Sequence, residues 1–356
     1  MSNKTGVVFD NRYFNHTIPA HSPENPERIR RIYQELGGER YNGRYERVEP
    51  LEISTADILS VHSSLYLDQL REHSVNGNPY SYDRDTYLVD DSLFTARLAT
   101  GGCLALADKI MSKELQDGFA FIRPPGHHAE GGRGMGFCIL NNVALTAQYL
   151  LDVHNLKRIL IIDYDVHHGN GTQEVFYESD QVMFISIHQK DIFPFTGAAD
   201  EIGKEKGQGY NVNIPVFAQF GDIEYTYLVG RMLQSLVEQY MPQFILVSAG
   251  FDGHIEDNIS GTMLSTNWYS QVTRMLSQYA SEFCSGNILF VLEGGYNPFS
   301  LEEAALATFD ALLDPTSKGK IGVMRSQRAE KLLVNHPINE YWTLELWQLH
   351  LFLNHT

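Results

Sequence analysis

The segment Asp163-Tyr164-Asp165-Val166-His167-His168-Gly169-Asn170 sets two carboxylates and an imidazole at alternate positions, at the end of the apolar run ILIIDYDV. On a strand, residues 163, 165 and 167 share one face. Three polar residues there are costly when buried, unless they pair with one another or hold a metal. Asp165 and His167 suit zinc, whose bonds to histidine nitrogen and carboxylate oxygen are about 2.0–2.2 Å long. Same-face neighbours on a strand lie roughly 7 Å apart, so the pair requires a bend. Gly169 and Gly171 would permit one. Taken alone, the segment also fits an Asp–His hydrogen-bond network without metal.

Three further clusters end apolar runs. In SAGFDGH, Asp252 is a third ligand or a simple turn residue, since Asp before Gly is common in turns. Three protein ligands would leave a coordination position for water, as catalytic zinc requires. In RPPGHHAE, two prolines and a glycine make a rigid loop on which His127 and His128 can both face one site. Histidine is the usual acid–base group near neutral pH. Asp163 could orient one ring and Asn170 the other. In LEGGYN, Tyr296 either donates its hydroxyl to a developing oxyanion or packs as an ordinary aromatic after a glycine turn.

The runs that must carry these clusters are GVVFD, FAFI, ILIIDYDV, VMFISIH, YNVNIPV, FILVSAG and ILFVLEGG. Several are continuously apolar, as strands covered on both faces are. Helical patterns lie between most of them: SLFTARLATGGCLALADKIM, EYTYLVGRMLQSLVEQY and NWYSQVTRMLSQYASEF. Alternation of this kind predicts an α/β fold with a parallel sheet. Ligands of such sheets gather beyond the carboxyl ends of the strands, where every polar cluster named above lies. With no linker or repeat, one domain over 1–356 is expected, with a core of about 6–315. The less regular stretch 316–356 reads as a helical appendage or an oligomer contact, which leaves a homo-oligomer open.

Composition narrows the function classes. A formal charge of −17 with no basic stripe argues against nucleic acid as partner and would attract a cationic substrate. Three cysteines with no CxxC pair disfavour a disulfide framework or a cysteine metal site, and a reducing cytoplasm fits. The first residues carry no apolar h-region, and no apolar run is long enough to span a membrane. A soluble cytoplasmic protein is expected.

In order along the chain, RPPGHHAE, GMGFCILNNVA, DYDVHHGNGTQ, SIH, SAGFDGH and LEGGYN resemble the histone deacetylase family, which includes bacterial acetylpolyamine amidohydrolases. The resemblance runs from about His16 to beyond Leu312. It implies the arginase–deacetylase fold, one domain around an eight-stranded parallel sheet flanked by helices. It implies Asp165, His167 and Asp252 as zinc ligands, His127 and His128 as the tandem catalytic histidines, and Tyr296 as the oxyanion-stabilising tyrosine. Gly136, Phe137 and Phe193 match the acyl-chain tunnel, and Arg28 matches the arginine near the acetate exit. A potassium site is implied at Asp163, Asp165, His167, Ser186 and Ile187, and a second at Phe176, Ser179, Val182 and Tyr210. Asn170, Glu293 and PENPER resemble class II members. Ile259, in IEDNISG, stands nearest the polyamine-selective gatekeeper position and is not glutamate, although Asp85, Asp90 or Asp91 could still select a cation. The related ureohydrolases bind two manganese ions through DxHxD. Gly169 replaces that last aspartate here, so one catalytic metal is expected, zinc or iron(II). The implied activity is metal-assisted hydrolysis of acetyl-lysine in proteins or peptides. Alternatives are acetylated polyamines or other small amides, and a catalytically weak acyl-lysine binder.

Overall fold

Each of the seven apolar runs forms a strand, and all seven join one parallel sheet in the computed structural model, which describes residues 4–18, 22–75, 77, 79–314 and 323–343. These are β1 (Thr5–Val8), β5 (Asp117–Ala120), β6 (Ile159–Asp163), β7 (Val182–Gln189), β8 (Asn211–Val216), β9 (Phe244–Ala249) and β10 (Ile288–Leu292). The eighth strand, β2 (Glu46–Arg47), is too short and polar to show in the apolar pattern. A separate hairpin pairs β3 (Tyr80–Ser81) with β4 (Tyr87–Leu88). The order of the main sheet is β2-β1-β5-β10-β9-β6-β7-β8, with every neighbouring pair parallel.

Every residue of β5, β6, β9 and β10 is buried. Successive side chains point to opposite faces, so both faces of the sheet centre are covered. That is why these runs are apolar without alternation. The helical patterns form helices Ser92–Met111, Asp222–Met232 and Thr266–Phe283, the second continuing through a π-helical turn at Leu233–Val237. A smaller core, including Tyr66, Leu67, Leu70, Leu88 and Ile139, anchors the hairpin through Leu88.

The chain passes from β5 to β6 across the positions that β9 and β10 later fill. This reversal opens a crevice at the carboxyl ends of the central strands. Beyond helix Pro298–Leu313, the helix Gln327–Val334 buries Ala329 and Leu333, and His336 Nε2 bonds the carbonyl of Asn213 at 2.7 Å. The described part of the expected appendage therefore packs on the sheet body. Residues 316–322 and 344–356 of that stretch lie outside the described residues.

Candidate active site

The four chemistry-bearing loops leave four adjacent strands: β5, β10, β9 and β6. β6 ends at Asp163, before the clustered residues, so the expected alternation onto one strand face stops there. Two aspartates make the bend that follows. Asp163 Oδ1 accepts from the N–H of Asp165 at 3.1 Å, and Asp165 Oδ1 from the N–H of His167 at 2.9 Å. The glycines serve a different purpose from the one expected. A Cβ on Gly169 would lie 2.3 Å from Asp163 Oδ2, and one on Gly171 2.3 Å from the carbonyl oxygen of Ala129. They are required for close approach, not for the bend.

The bend brings Asp165 and His167 to Asp252, and their donor atoms lie within 4.8 Å of one another, all buried. His167 Nδ1 is 3.2 Å from Asp165 Oδ1 and 3.0 Å from Asp252 Oδ2. Asp252 Oδ1 accepts from the N–H of Val166 at 3.0 Å, and Asp165 Oδ2 from that of Gly294 at 2.8 Å. Asp252 is therefore a member of the cluster, not a free turn residue. Burial opposes charge on His167, yet the flanking Asp165 and Asp252 carboxylates outweigh it and raise the imidazole to about 10. Burial, with the charge of Asp165, holds Asp252 up at about 6. Two buried carboxylates thus compete for one positive charge. A divalent cation would compensate both, and a nitrogen with two carboxylates is a donor set that zinc accepts.

The histidine pair lies beside this cluster with ring centroids 4.0 Å apart and the rings tilted by 41°. His127 Nδ1 is 3.0 Å from Asp163 Oδ2. Burial works against its charge, but Asp165 and Asp163 raise it to about 10. His128 goes the opposite way: burial, then the charges of His127 and His167, push it well below the usual histidine range. Its Nδ1 lies 2.8 Å from Asn170 Oδ1, while Asn170 Nδ2 donates to Glu130 Oε1 at 2.8 Å. The amide orientation makes Oδ1 the acceptor, so Nδ1 of His128 carries the hydrogen and Nε2 keeps a lone pair. The two rings are thus pushed in opposite directions, His127 towards the charged form and His128 towards the neutral one.

A cavity of about 260 Å³ leads to these groups, lined by Pro23, Asp85, His128, Gly136, Phe137, His167, Ile192, Phe193, Ile259 and Tyr296. The Phe137 and Tyr296 rings lie 5.4 Å apart, and Phe193 stands edge-on to His128 at 5.0 Å. Arg28 is not on the lining of this cavity. It is buried behind it, donating to the carbonyls of Gly295 and Glu293 at 2.5 and 2.7 Å, with its guanidinium 4.7 Å from the Tyr296 ring centroid. Of the three acids considered as cation selectors, only Asp85 lines the cavity. Asp90 instead accepts from the N–H of Gly77 at 2.8 Å, and Asp91 precedes helix Ser92–Met111.

Around the expected potassium positions, Asp163 and Ser186 are register partners on β6 and β7, with Ile187 next in line. The second set clusters at the opposite end of the sheet. Phe176 ends a helix and its carbonyl accepts from Ser179, Val182 opens β7, and Tyr210 precedes β8.

Two positioning carboxylates escaped the sequence reading. Glu293 is fully buried, and its Oε2 accepts from the N–H groups of Gly126 and His127 at 2.7 and 3.1 Å. It ties the histidine loop to the strand end that leads to Tyr296. Asp257 Oδ2 accepts from the N–H of Tyr296 at 2.6 Å and of Asn297 at 3.1 Å. Glu293 had shown only as a class marker, and Asp257 only as part of an unusual loop. A buried salt-bridge hub, Glu24 with Arg123 and Arg28, also lies behind the loop; its members sit in PENPER and at the head of RPPGHHAE, but nothing in the sequence pairs them.

The comparisons agree with this architecture. The histone deacetylase domain family matches residues 22–312. A protein of Archaeoglobus fulgidus named "Probable deacetylase" is 40% identical over 298 residues, covering 82% of this chain and 81% of that protein. Histone deacetylase 15 of Arabidopsis thaliana is 36% identical over 332 residues, which are 90% of this chain but 59% of the plant protein. The chain likewise spans 49% of Arabidopsis histone deacetylase 5. The crystal structure of the HDA15 HD domain superposes with a TM-score of 0.88 at 34% identity, covering 96% of this chain and 95% of that one. With its eight-stranded parallel sheet and its domain match over residues 22–312, the chain belongs to the histone deacetylase family.

Proposed function

We propose that this chain is a zinc-dependent amidohydrolase that removes acetyl groups from lysine side chains of peptides or proteins. The observation that carries the reading is the buried Asp165–His167–Asp252 donor set at the floor of a narrow cavity, with Phe137, Phe193 and Tyr296 on its walls and His128 beside it. Asp165, His167 and Asp252 would hold the ion. When bound, such an ion polarises the acyl carbonyl and acidifies the attacking water. Iron(II) suits the same ligands.

The chain's own residues supply the rest. Phe137 and Phe193 flank the methylene chain of the lysine. Neutral His128 takes the proton of the attacking water through its free Nε2 and returns it to the leaving amine. Cationic His127, held by Asp163, stabilises the negative charge that develops. The Tyr296 hydroxyl donates to the oxyanion, on a backbone anchored by Asp257. Asp163, Asp165, His167, Ser186 and Ile187 form a potassium site beneath the floor in this reading, and Phe176, Ser179, Val182 and Tyr210 a second. One catalytic domain in the cytoplasm completes it.

Acetylated polyamines are the second reading, favoured by the exposed Asp85 carboxylate on the cavity wall. The test is acetate release from acetyl-lysine peptides and from acetylpolyamines, with zinc, after chelation and after zinc is restored. Release that needs zinc supports the proposal, and faster turnover of peptides selects its substrate. No release from either substrate would leave an acyl-lysine binder.

A further inference from the structure

The turn that carries Gly136 and Phe137 on the cavity wall is held from outside the cavity. Gly136 and Phe137 form the wall and both have positive φ, 53° and 70°, between Met135 and Cys138, which close the turn with an N–H to carbonyl bond of 2.9 Å. Two successive residues at positive φ are what a tight type I′ turn needs, and this is costly for a residue with a bulky side chain such as Phe137. The turn has no room to relax inward, because a Cβ on Gly136 would stand 2.5 Å from His128 and 2.7 Å from Phe193.

Both outward N–H groups of the turn are held by the hairpin that precedes helix Ser92–Met111. Gly136 N–H donates to Asp83 Oδ2 at 3.2 Å, and Phe137 N–H to Thr86 Oγ1 at 3.0 Å. Asp83 Oδ1 accepts from the N–H groups of Asp85 and Thr86 at 2.8 and 2.6 Å. The carboxylate that grips the wall therefore also shapes the hairpin tip that presents Asp85 to the cavity. Thr86 and Leu88 are buried, which seats the hairpin in the smaller core.

We infer that Asp83 and Thr86 are positioning residues that set the bore of the acyl tunnel and couple it to Asp85 at the mouth. The inference rests on the deacylase reading. Loss of either acceptor strands a turn N–H, lets the wall shift outward and admits longer acyl chains.

The test compares kcat and KM for acetyl-lysine and butyryl-lysine peptides in the zinc-loaded protein, in the native chain and in Thr86→Val and Thr86→Ser. In Thr86→Val, KM for the acetyl peptide should rise about tenfold and the butyryl-to-acetyl ratio of kcat/KM should rise by a similar factor, the effect of one lost, newly unsatisfied hydrogen bond. Its kcat should stay within about twofold, because no group at the reacting atoms is removed. Thr86→Ser keeps the acceptor and should restore both values. If Thr86→Val does not fold, Asp83→Asn reads the same ratio, since it sets an amide NH₂ against the N–H of Gly136. An active native enzyme whose ratio moves in neither variant overturns the inference. A native enzyme inactive on every acyl-lysine peptide overturns the deacylase reading, and the inference falls with it.

Discussion

The floor and the rim of the cavity are built in opposite ways. Floor residues Asp165, His167, Asp252, His127 and His128 follow three fully buried parallel strands, β6, β9 and β5, and backbone N–H groups or buried side chains hold them. Rim residues come from separate loops: Asp85 at a hairpin tip, Ile192 before Phe193, and Ile259 in the loop after Asp252. Asp85 is exposed, and Ile192 and Ile259 are half-buried. Charges that must act on a reacting atom need a rigid, dry setting, which strand ends supply. Contacts that choose among substrates tolerate water and variation, which loops allow. Substitutions in the floor should therefore act on turnover, and those at the rim on substrate choice.

The comparison is tested most severely at Tyr296, on the wall between floor and rim. Tyr296→Phe removes one oxyanion donor and should lower kcat about 10²–10³-fold while zinc content, read by elemental analysis, stays at the native level. Equal loss of zinc and activity would move Tyr296 from chemistry to scaffolding. Glu293 comes next, because its carboxylate accepts from backbone N–H groups. Glu293→Ala strands the N–H groups of Gly126 and His127, and kcat should fall about 10–100-fold, as for other groups that orient catalytic residues. Glu293→Gln keeps an acceptor oxygen and should stay within about threefold of the native rate. A Gln variant as slow as the Ala variant would show that the charge matters, not the anchoring. The smallest effect is expected at the rim. Asp85→Asn should lower kcat/KM for an acetylpolyamine about three- to tenfold in dilute buffer, with the gap narrowing as salt is added. An equal, salt-independent loss on a neutral acetyl-lysine amide would refute selection by charge.

Much of the floor was legible in the sequence because strand ends are. ILIIDYDV, FILVSAG and ILFVLEGG read as buried strands, and the polar residues after them proved to share one crevice. The resemblance then separated Asp252 from the many aspartates that merely make turns. The two glycines after His167 were read for the wrong reason, since sequence does not show that a carboxylate and a carbonyl press against them. The rim was hardly legible. Asp85, Asp90 and Asp91 look equivalent along the chain, and only one of them reaches the cavity.

The sequence by itself determined the α/β class, the parallel sheet at its centre and the residues able to hold a metal. Those properties follow from local apolar patterning and from the few side chains that can serve as ligands. Only the tertiary structure decided which carboxylates hold backbone and which face the cavity. Asp83, Asp257 and Glu293 are far in sequence from the N–H groups of Gly136, Tyr296 and His127 that they accept from. Such contacts are set by strand order and loop packing, and neither leaves a periodic mark on the chain. The separate partners of the two histidine rings were decided the same way. Asp163 and Asn170 are chemically different partners, and only the folded bend assigns one to each ring.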